Sequence, residues 1–422
     1  LAPDYNVLIR ERDVSNDYAW DIGEEVIVKI THISEQGKLF GVPIALSEYT
    51  VRPLRGQVRK LLISDLSEDM IGSFISLNAL VVSVLQTSGP TRFTLVDPSG
   101  SIHAAAFIKP GERAFPEITE DMVVAVFGEV STHQNALQIE IKDMEPLETK
   151  ESETLLKEIE KAIDKKATPT DIEFMIKSPT LEKLKEDLKR VAKRVRKAVY
   201  VGQPLYIRHH ADADGTVAGF SVQYALQKLM EQEGFDSDTI RLRVKRLPNK
   251  PPFFDVLDVT KDLDFALEDQ ARFGDKLPLF LCLDFGSSKE SWLSYQQIKS
   301  IDLEILVVDH HFPDNEVRKL VDVHVNPYFV EGGYEVSAGM LGYELARLIN
   351  PEISDALSHL PAIAGLMDKV QGAELDQYLE IAKKKGYSTE ELELIGQAID
   401  FEVYQLRFSE GSNVLKILFD ID

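Results

Sequence analysis

The sequence predicts an α/β protein: a domain built on a mostly parallel sheet, preceded by an all-β barrel and a helical linker. From residue 203 onward, apolar strand-sized segments alternate with helical ones, which is typical of crossover connections in a parallel sheet. Before residue 149, strands follow one another without helices between them. Residues 149–200 are charged and have helical periodicity, so they join the two parts.

Composition limits the classes of protein that need consideration. The 422 residues are 44% hydrophobic and include one cysteine, which excludes a disulfide framework and a cysteine-rich zinc site. The apolar runs are strand-sized and fall short of the ~20 residues that a membrane span needs. We expect a cytoplasmic protein with no membrane partner. The net charge of −23 argues against nucleic acid if taken alone, but a sum says nothing of how charge is distributed.

Residues 1–66 are predicted to form a small β unit, since short strands there are interrupted by glycine and proline. Its strand-like segments are 24–33, 41–46 and 55–63.

Residues 67–148 form a second all-β region with five predicted strands. DPSG at 97–100 and QN at 134–135 indicate tight turns, and a long excursion covers 109–121. This layout is typical of a five-stranded Greek-key barrel. The strands are predicted at 73–88, 91–100, 101–108, 122–133 and 136–147.

This barrel sequence resembles the OB-fold of the tRNA-anticodon and helicase type. The resemblance implies that single-stranded nucleic acid binds on the barrel face, where such barrels use aromatic side chains and a basic groove. The alternative is a barrel that only positions its neighbour.

The linker contains two predicted helices, 149–166 and 178–200. Ser178 is the predicted N-cap of the second helix and Pro179 its first residue. Apolar residues recur at helical spacing from Leu181 to Val195, and the opposite face between 183 and 197 is rich in Lys and Arg. Two interpretations of that basic face remain open: a solvated helix surface, or a contact with a phosphate backbone.

The α/β domain is predicted over 201–372, followed by a helical C-terminal segment over 373–422. Its continuous apolar strands indicate a sheet covered on both faces. Helices are predicted at 215–234, 337–349 and 351–370. Strands are predicted at 204–210, 240–247, 277–284, 303–309 and 321–327.

Acidic and histidine residues follow three of these strands. His210 and Asp212 follow the first, Asp284 ends another, and Asp309 opens an Asp-His-His triplet. Ligand sites in open parallel sheets lie beyond the carboxyl ends of the strands, so we expect these side chains to meet. Imidazole with carboxylate suits Mn²⁺, Fe²⁺ or Zn²⁺ better than Ca²⁺. A lone Asp could cap a helix and a lone His could be a core residue, but three such clusters in succession favour a metal site.

Two such cations ~4 Å apart can clamp a phosphoryl group and activate a water molecule. Gly215 lets the next helix start close to the site, where its N-terminal amides favour a phosphate.

The segments HADADG (210–215), LDFGSS (283–288) and VVDHH (307–311) resemble the motifs of the DHH phosphoesterase superfamily. The match covers residues 204–372, with Asp368 as a fourth motif and Ser337 to Gly339 also similar. The order of motifs makes the resemblance specific. Within the superfamily the chain is similar to archaeal RecJ-like nucleases, which include the GINS-associated and Hef-associated nucleases and carry an OB-fold before the DHH domain.

The resemblance implies a role for each motif residue. His210 would bind a first ion, Asp212 a second, and Asp284 both. His310 and Asp368 would complete the second site.

The remaining motif residues would act around the ions. Asp309 would orient His310, and His311 would contact the scissile phosphate or protonate the leaving oxygen. Asp214 would support a ligand or cap a helix. Ser287 and Ser288 would either touch the phosphate or cap the next helix.

Two departures from the family pattern affect substrate binding. Phe312 and Pro313 follow the triplet, where many relatives carry a basic residue, and no GGGH stretch of the kind found in the usual second domain occurs here. Either the chain is truncated or other residues grip the substrate, the candidates being the basic helix and the segment 241–250. The full set of expected substrate-binding residues is Ser287, Ser288, Ser337, Gly339, Arg243, Lys245 and Arg246.

The sequence therefore predicts a metal-dependent phosphodiesterase, a hydrolase acting as a single-stranded DNA or RNA exonuclease with two divalent ions. Mn²⁺ is favoured, with Mg²⁺ as the alternative. One rival is a phosphodiesterase for short oligonucleotides or cyclic dinucleotides, or a pyrophosphatase; another is a non-catalytic replication scaffold. A replisome or repair protein as partner is implied only by the resemblance.

Overall fold

The computed structural model describes residues 7–8, 28–33, 39–43, 60–133, 136–273 and 275–406. It contains two compact units, Leu1–Val58 and Arg59–Asp422. In the first, β1 (Val7–Leu8), β2 (Val28–Ile33) and β3 (Leu39–Pro43) form a sheet of order β1-β3-β2. Of the strand predicted over 55–63, residues 55–59 lie outside the described residues, as do 407–422 of the predicted C-terminal segment.

The second unit begins with a closed five-stranded barrel of order β4-β5-β6-β8-β7. Strands β6 and β8 pair in parallel, and the other pairs are antiparallel. Alternate side chains of β4 fill the barrel, and the turn predicted at 134–135 lies outside the described residues. The strands are β4 (Phe74–Gln86), β5 (Thr91–Asp97), β6 (Gly100–Ala106), β7 (Val123–His133) and β8 (Ala136–Pro146).

Two helices, α1 (Thr149–Ala167) and α2 (Pro179–Tyr200), follow the barrel. The Ser178 side chain accepts a hydrogen bond from the Leu181 amide, as expected of an N-cap. The apolar stripe of α2 is fully buried. Its basic face pairs with acidic residues: Lys189 contacts Asp171, and further pairs are Lys193–Asp164, Arg190–Asp187 and Arg194–Glu304. These pairings favour the interpretation of a structural, solvated surface.

The α/β domain is built on a sheet of order β10-β9-β11-β12-β13 in which every pair is parallel. Alternate strand residues pack on opposite faces: Leu205 and Ile207 face α3 and α8, whereas Tyr206 and Phe280 pack against Phe254. The sheet is thus covered on both faces, as its continuous apolar strands predict. The strands are β9 (Leu205–His210), β10 (Val244–Asn249), β11 (Leu279–Leu283), β12 (Ile305–Val308) and β13 (Val323–Val325).

Helices connect successive strands of this sheet, and four further helices follow its last strand. None of the helices in the described part of the chain combines the length and apolar character that crossing a membrane would take. They are α3 (Ala213–Gln232), α4 (Ser237–Arg243), α5 (Val256–Phe273), α6 (Trp292–Lys299), α7 (Asn315–Arg318), α8 (Ala338–Ile349), α9 (Leu360–Met367), α10 (Ala373–Lys384) and α11 (Thr389–Leu406).

Two predicted elements are wrong in part. The strand predicted at 240–247 begins only at Val244, because the Asp236 carboxylate accepts hydrogen bonds from the amides of Asp238 and Thr239 and starts α4 instead. The helix predicted at 351–370 is divided into a 3₁₀ turn, Pro351–Ile353, and the shorter α9.

Arg243 joins the barrel to the α/β domain. Its guanidinium donates to Ser83 Oγ at 2.9 Å and to Glu120 Oε1 at 3.1 Å, and it also bonds the Gly202 carbonyl. The Arg243 and Glu120 side chains are both buried, so the pair is shielded from water. The barrel is therefore held to the sheet by a buried charge pair.

Candidate metal centre

The three central strands end side by side, and each is followed by acidic or histidine residues. His210 is the last residue of β9, and Asp212 is the N-cap of α3, accepting from the Gly215 amide at 2.9 Å. Asp284 and Asp309 directly follow the neighbouring β11 and β12. Because these strands are parallel and adjacent, the fold brings the expected residues to one edge of the sheet.

The first group of possible ligands surrounds His210. Its Nδ1 atom lies 2.6 Å from Asp212 Oδ2 and 3.5 Å from Asp284 Oδ2. The ligand atoms of these three residues lie within 4.8 Å of one another, a spacing that suits a single cation.

The second group surrounds His310. Its Nε2 atom lies 3.3 Å from Asp284 Oδ1 and 3.8 Å from Asp214 Oδ2, and its Nδ1 atom lies 3.6 Å from Asp368 Oδ2. Asp284 thus presents one carboxylate oxygen to each histidine. His311 Nδ1 approaches the same Oδ1 atom at 3.9 Å. Asp284 therefore lies between the two groups of possible ligands.

Two buried atoms of this cluster lack well-oriented protein partners. His210 Nδ1 and Asp284 Oδ2 have no hydrogen bond of acceptable geometry among the described residues, although a buried polar atom normally has one. Asp284 is almost fully buried and has a left-handed backbone with φ of 61°, a strained conformation that tends to occur at functional sites. An imidazole nitrogen and a carboxylate oxygen that lack hydrogen-bond partners are suitable ligand atoms for a divalent transition metal such as Mn²⁺.

The charges of the cluster depend strongly on one another. Burial alone would lower the pKa of His210, but the nearby Asp212 and Asp284 carboxylates raise it to about 10. His310 behaves in the same way: burial opposes its charged form, and Asp284 with Asp214 raises its pKa to about 10. Burial, together with the Asp284 charge, raises the pKa of Asp214 well above its ordinary value. Without cations, the imidazoles hold the protons that offset the clustered carboxylates.

Asp309 organises the loop of the DHH triplet. Its Oδ1 atom accepts from the His310 and His311 amides at 2.8 and 3.2 Å, and its Oδ2 atom accepts from the Ser287 amide at 2.9 Å. Oδ1 also lies 2.8 Å from His311 Nδ1. This differs from the expectation that Asp309 orients the His310 ring, because the carboxylate contacts the His311 ring instead.

Asp214 supports the start of α8. Its two carboxylate oxygens accept from the amides of Ala338 and Gly339, each at 2.9 Å. A Cβ atom at Gly339 would lie 2.4 Å from the Ala364 Cβ, so the close approach of α8 requires glycine there. Ser337 and Gly339, expected to bind substrate, are both buried: Gly339 donates its amide to Asp214, and Ser337 is the N-cap residue of α8.

Ser287 and Ser288 have different surroundings. Ser287 is fully buried, and its Oγ atom lies 2.8 Å from His324 Nε2 and accepts from Asn326 Nδ2 at 3.0 Å. Ser288 is at the N-cap of a short 3₁₀ turn, and its side chain accepts no capping hydrogen bond from the amides of that turn. Sequence reasoning missed His324 and Asn326, although both lie at the end of a predicted strand.

The structure does not bring Arg243, the last residue of α4, or the basic residues of β10 into the ligand cluster. Arg243 makes the barrel contact described above, and Lys245 pairs with Asp269 at 3.3 Å. Arg246 donates to Gln223 and lies 2.9 Å from His209 Nε2, so it supports the end of β9 beside His210. Burial, with the neighbouring Arg246 charge, lowers the pKa of His209 to about 3.

The tRNA anticodon family model, described as an OB-fold nucleic acid binding domain, matches residues 75–147. An uncharacterized protein of Methanocaldococcus jannaschii is 38% identical over 418 residues, or 94% of this chain and 55% of that one. The solved DHH domain of a member of the s1p family of ribosomal proteins is 40% identical, with a TM-score of 0.62 over 64% of this chain and 63% of that one. RecJ from Thermus thermophilus, in complex with Mn²⁺, is 13% identical, with a TM-score of 0.36 over 60% of this chain and 38% of that one.

These comparisons confirm the resemblance that the motifs indicate, to OB-fold nucleic acid binding domains over residues 75–147 and to DHH-domain proteins. The chain spans about half the length of the curated relative that it matches. The predicted fold class is also confirmed, since a closed barrel, a helical region and a parallel sheet follow one another along the chain.

Proposed function

We propose that this protein is a metal-dependent phosphodiesterase that hydrolyses single-stranded nucleic acid. The observation that carries the proposal is the bridging position of Asp284, whose two oxygens face His210 and His310 at 3.5 and 3.3 Å. Two cations sharing a carboxylate can contact both the attacking and the leaving oxygen of a phosphodiester.

Each side chain has a distinct part in this proposal. His210, Asp212 and Asp284 would hold one cation, so Asp212 joins the first group of ligands and not the second, to which the resemblance assigns it. His310 and Asp368, 3.6 Å apart, would hold the other cation, with Asp284 as the shared ligand. Mn²⁺ is the best match to these ligand types. The cations, when bound, would lower the pKa of a water molecule and offset charge on the phosphate.

The other residues of the site would act on the substrate or hold the ligands in place. His311, fixed by Asp309, would donate a proton to the leaving oxygen or a hydrogen bond to the phosphate. Asp214, which binds the α8 amides, would hold the second group of ligands in place.

The presence of the barrel favours a polymeric substrate over a small one. It matches a family model described as an OB-fold nucleic acid binding domain, and barrels of this type bind single strands through stacking and a charged groove. Arg243 and Arg92 attach this barrel to the α/β domain through Glu120 and Asp236. A small substrate such as a cyclic dinucleotide would have no use for a barrel held in this way.

The proposal is tested with end-labelled DNA and RNA single strands, a dinucleotide, a cyclic dinucleotide and pyrophosphate, each with Mn²⁺ and with Mg²⁺. We expect metal-dependent cleavage of the long strands and little of the small substrates. Asp284→Ala should lose both bound metal, measured by elemental analysis, and cleavage. Asp69→Ala, which removes an exposed carboxylate from the barrel region, is the matched control. Cleavage that survives Asp284→Ala, or is confined to the small substrates, would overturn the proposal.

A further inference from the structure

Three aromatic side chains, two of them exposed and one half-buried, form a cluster that begins at the residue after His311. We call Phe312, Tyr328 and Tyr334 the aromatic step. The rings of Phe312 and Tyr328 are 5.3 Å apart, those of Tyr328 and Tyr334 6.3 Å apart, and both pairs meet edge to face. Phe312 is 77% exposed and Tyr334 74% exposed. Large aromatic residues are more often buried, so adjacent exposed rings indicate a surface that binds something.

The buried side chain of Asn326 joins the aromatic step to the loop of the Asp309–His311 triplet. Asn326 Nδ2 donates to the His311 carbonyl at 2.8 Å, and Asn326 Oδ1 accepts from the Tyr328 amide at 3.0 Å. The segment carrying Phe312 and the segment carrying Tyr328 are therefore fastened to the same side chain. Phe312 directly follows His311, so the step begins one residue from the proposed proton donor.

A neighbouring aromatic residue shows the contrast with ordinary packing. The Phe329 ring lies 4.9 Å from the His324 ring and 3.9 Å from Arg318 Cζ, which accounts for its position structurally. Phe312 is far more exposed, and its described ring contact is with Tyr328, itself part of the step. Packing therefore explains Phe329 but not the step.

The acidic residues around the step are paired with lysines. Glu331, in the loop between Tyr328 and Tyr334, lies 3.5 Å from Lys183 Nζ, and Glu316 pairs with Lys319 at 2.6 Å. A nucleobase binds aromatic faces by stacking, which does not depend on the net charge of the surrounding surface. Stacking can bind a base of any identity and does not require a basic surface. It therefore also suits a chain with a net charge of −23.

We propose that the aromatic step stacks a nucleobase of the single-stranded substrate, next to the phosphate at the metal centre. This inference rests on the proposed function and adds the substrate subsite to it. Stacking there would fix the register of the strand, so that one particular phosphodiester lies against His311 and Asp284. An edge-to-face arrangement leaves a ring face of Phe312 available for a base.

The test measures stacking without cleavage. Short single strands carry 2-aminopurine at successive positions, and Ca²⁺ replaces Mn²⁺; stacking on an aromatic ring quenches the fluorescence of this base. We expect quenching confined to one or two positions in the unmodified protein. Phe312→Ala should abolish it and weaken binding by roughly 5- to 100-fold, as expected for loss of one base–aromatic stack.

Two controls separate stacking from folding. Phe312→Trp should retain the quenching, because it restores an aromatic face. Phe265→Ala removes an equally prominent ring from α5, 60% exposed, and should change neither quenching nor affinity. A strand with an abasic site at the quenched position should bind the unmodified protein as weakly as the intact strand binds Phe312→Ala.

The outcomes distinguish this inference from the function on which it rests. Equal quenching in Phe312→Ala and unmodified protein, or equal affinity for intact and abasic strands, overturns the aromatic step while leaving cleavage intact. Failure of the unmodified protein to bind or cleave any single strand overturns both. Loss of a protein complex in Phe312→Ala, with nucleic-acid affinity unchanged, would show a protein-docking surface and also overturn the inference.

Discussion

The Asp309 carboxylate is fully buried, and its Oδ1 atom lies 2.8 Å from Nδ1 of His311, whose side chain is 40% exposed. The buried Asp309 carboxylate thus binds Nδ1 of the partly exposed His311 ring. The other ring nitrogen, Nε2, remains available to the substrate. Although burial opposes the charged ring, the hydrogen bond to Asp309 raises the pKa of His311 to about 9. In the metal-free protein the imidazole therefore carries a proton at neutral pH.

Asp309→Asn should remove this charge while preserving the size of the side chain. We expect kcat to fall by roughly 10²- to 10⁴-fold, the usual contribution of a positioned proton donor, with metal content unchanged. Single-turnover cleavage assays and elemental analysis would measure the two effects. Because both residues act in one step, adding His311→Ala should cause little further loss. Additive losses in the double variant would contradict this role.

Gly215→Ala should disturb the metal centre from the first turn of α3. A Cβ atom there would lie 2.3 Å from the His210 carbonyl oxygen and 2.8 Å from Asp284 Oδ2, so the strand end or the carboxylate must move. We expect weaker Mn²⁺ binding by calorimetry and a loss of roughly 1–3 kcal/mol in the free energy of unfolding. Gly89→Ala, whose Cβ would lie no closer than 3.6 Å to the nearest atom, is the control. Unchanged Mn²⁺ affinity would show that the site tolerates the displacement.

Arg243→Ala should destabilise the protein rather than alter substrate binding directly. The substitution would remove the guanidinium that lies 3.1 Å from Glu120 Oε1 and leave this carboxylate buried without it. Breaking such a buried pair costs roughly 3–5 kcal/mol. Urea unfolding would measure the loss. If Arg243 instead contacts phosphate, the variant would reduce the salt dependence of nucleic-acid binding at little cost in stability, which would restore the sequence-based expectation.

Metal binding should release protons. His210 and His310, with pKa values raised to about 10, are protonated at pH 7 in the metal-free protein, whereas a metal ligand must be neutral. Apparent Mn²⁺ affinity should therefore fall as pH decreases from about 10 towards 6.5. Calorimetry in buffers of different ionisation enthalpy would count the protons, and His210→Gln should release fewer. Affinity independent of pH across this range would contradict the assignment.

The same groups predict how stability depends on pH without metal. Because these histidines have raised pKa values in the folded state, their stabilising contribution is complete below pH 6.5 and is lost as pH rises through about 10. The free energy of unfolding in chelator should fall over that range, and added Mn²⁺ should reduce the fall. Urea titrations at several pH values would measure it.

Patterns of sequence predicted much of the architecture. The alternation of strands and helices after residue 203 predicted the parallel sheet, and the periodicity of Leu181 to Val195 predicted the buried face of α2. The segment 240–247 was harder to predict, because its alternating residues suit a strand while the Asp236 cap, only four residues earlier, starts a helix. Local capping prevailed over β propensity there, as short segments often allow.

The sequence by itself determined which residue types follow each strand, and hence that His210, Asp284 and the triplet lie at one edge of the sheet. Neighbouring parallel strands place the residues at their carboxyl ends along the same edge of the sheet, however the side chains pack. Only the tertiary structure decided which atoms meet. It directed Asp309 to His311, turned Arg243 towards the barrel, and joined Phe312 to Tyr328 through Asn326. These contacts link residues far apart in the chain or depend on rotamers, and a linear pattern encodes neither.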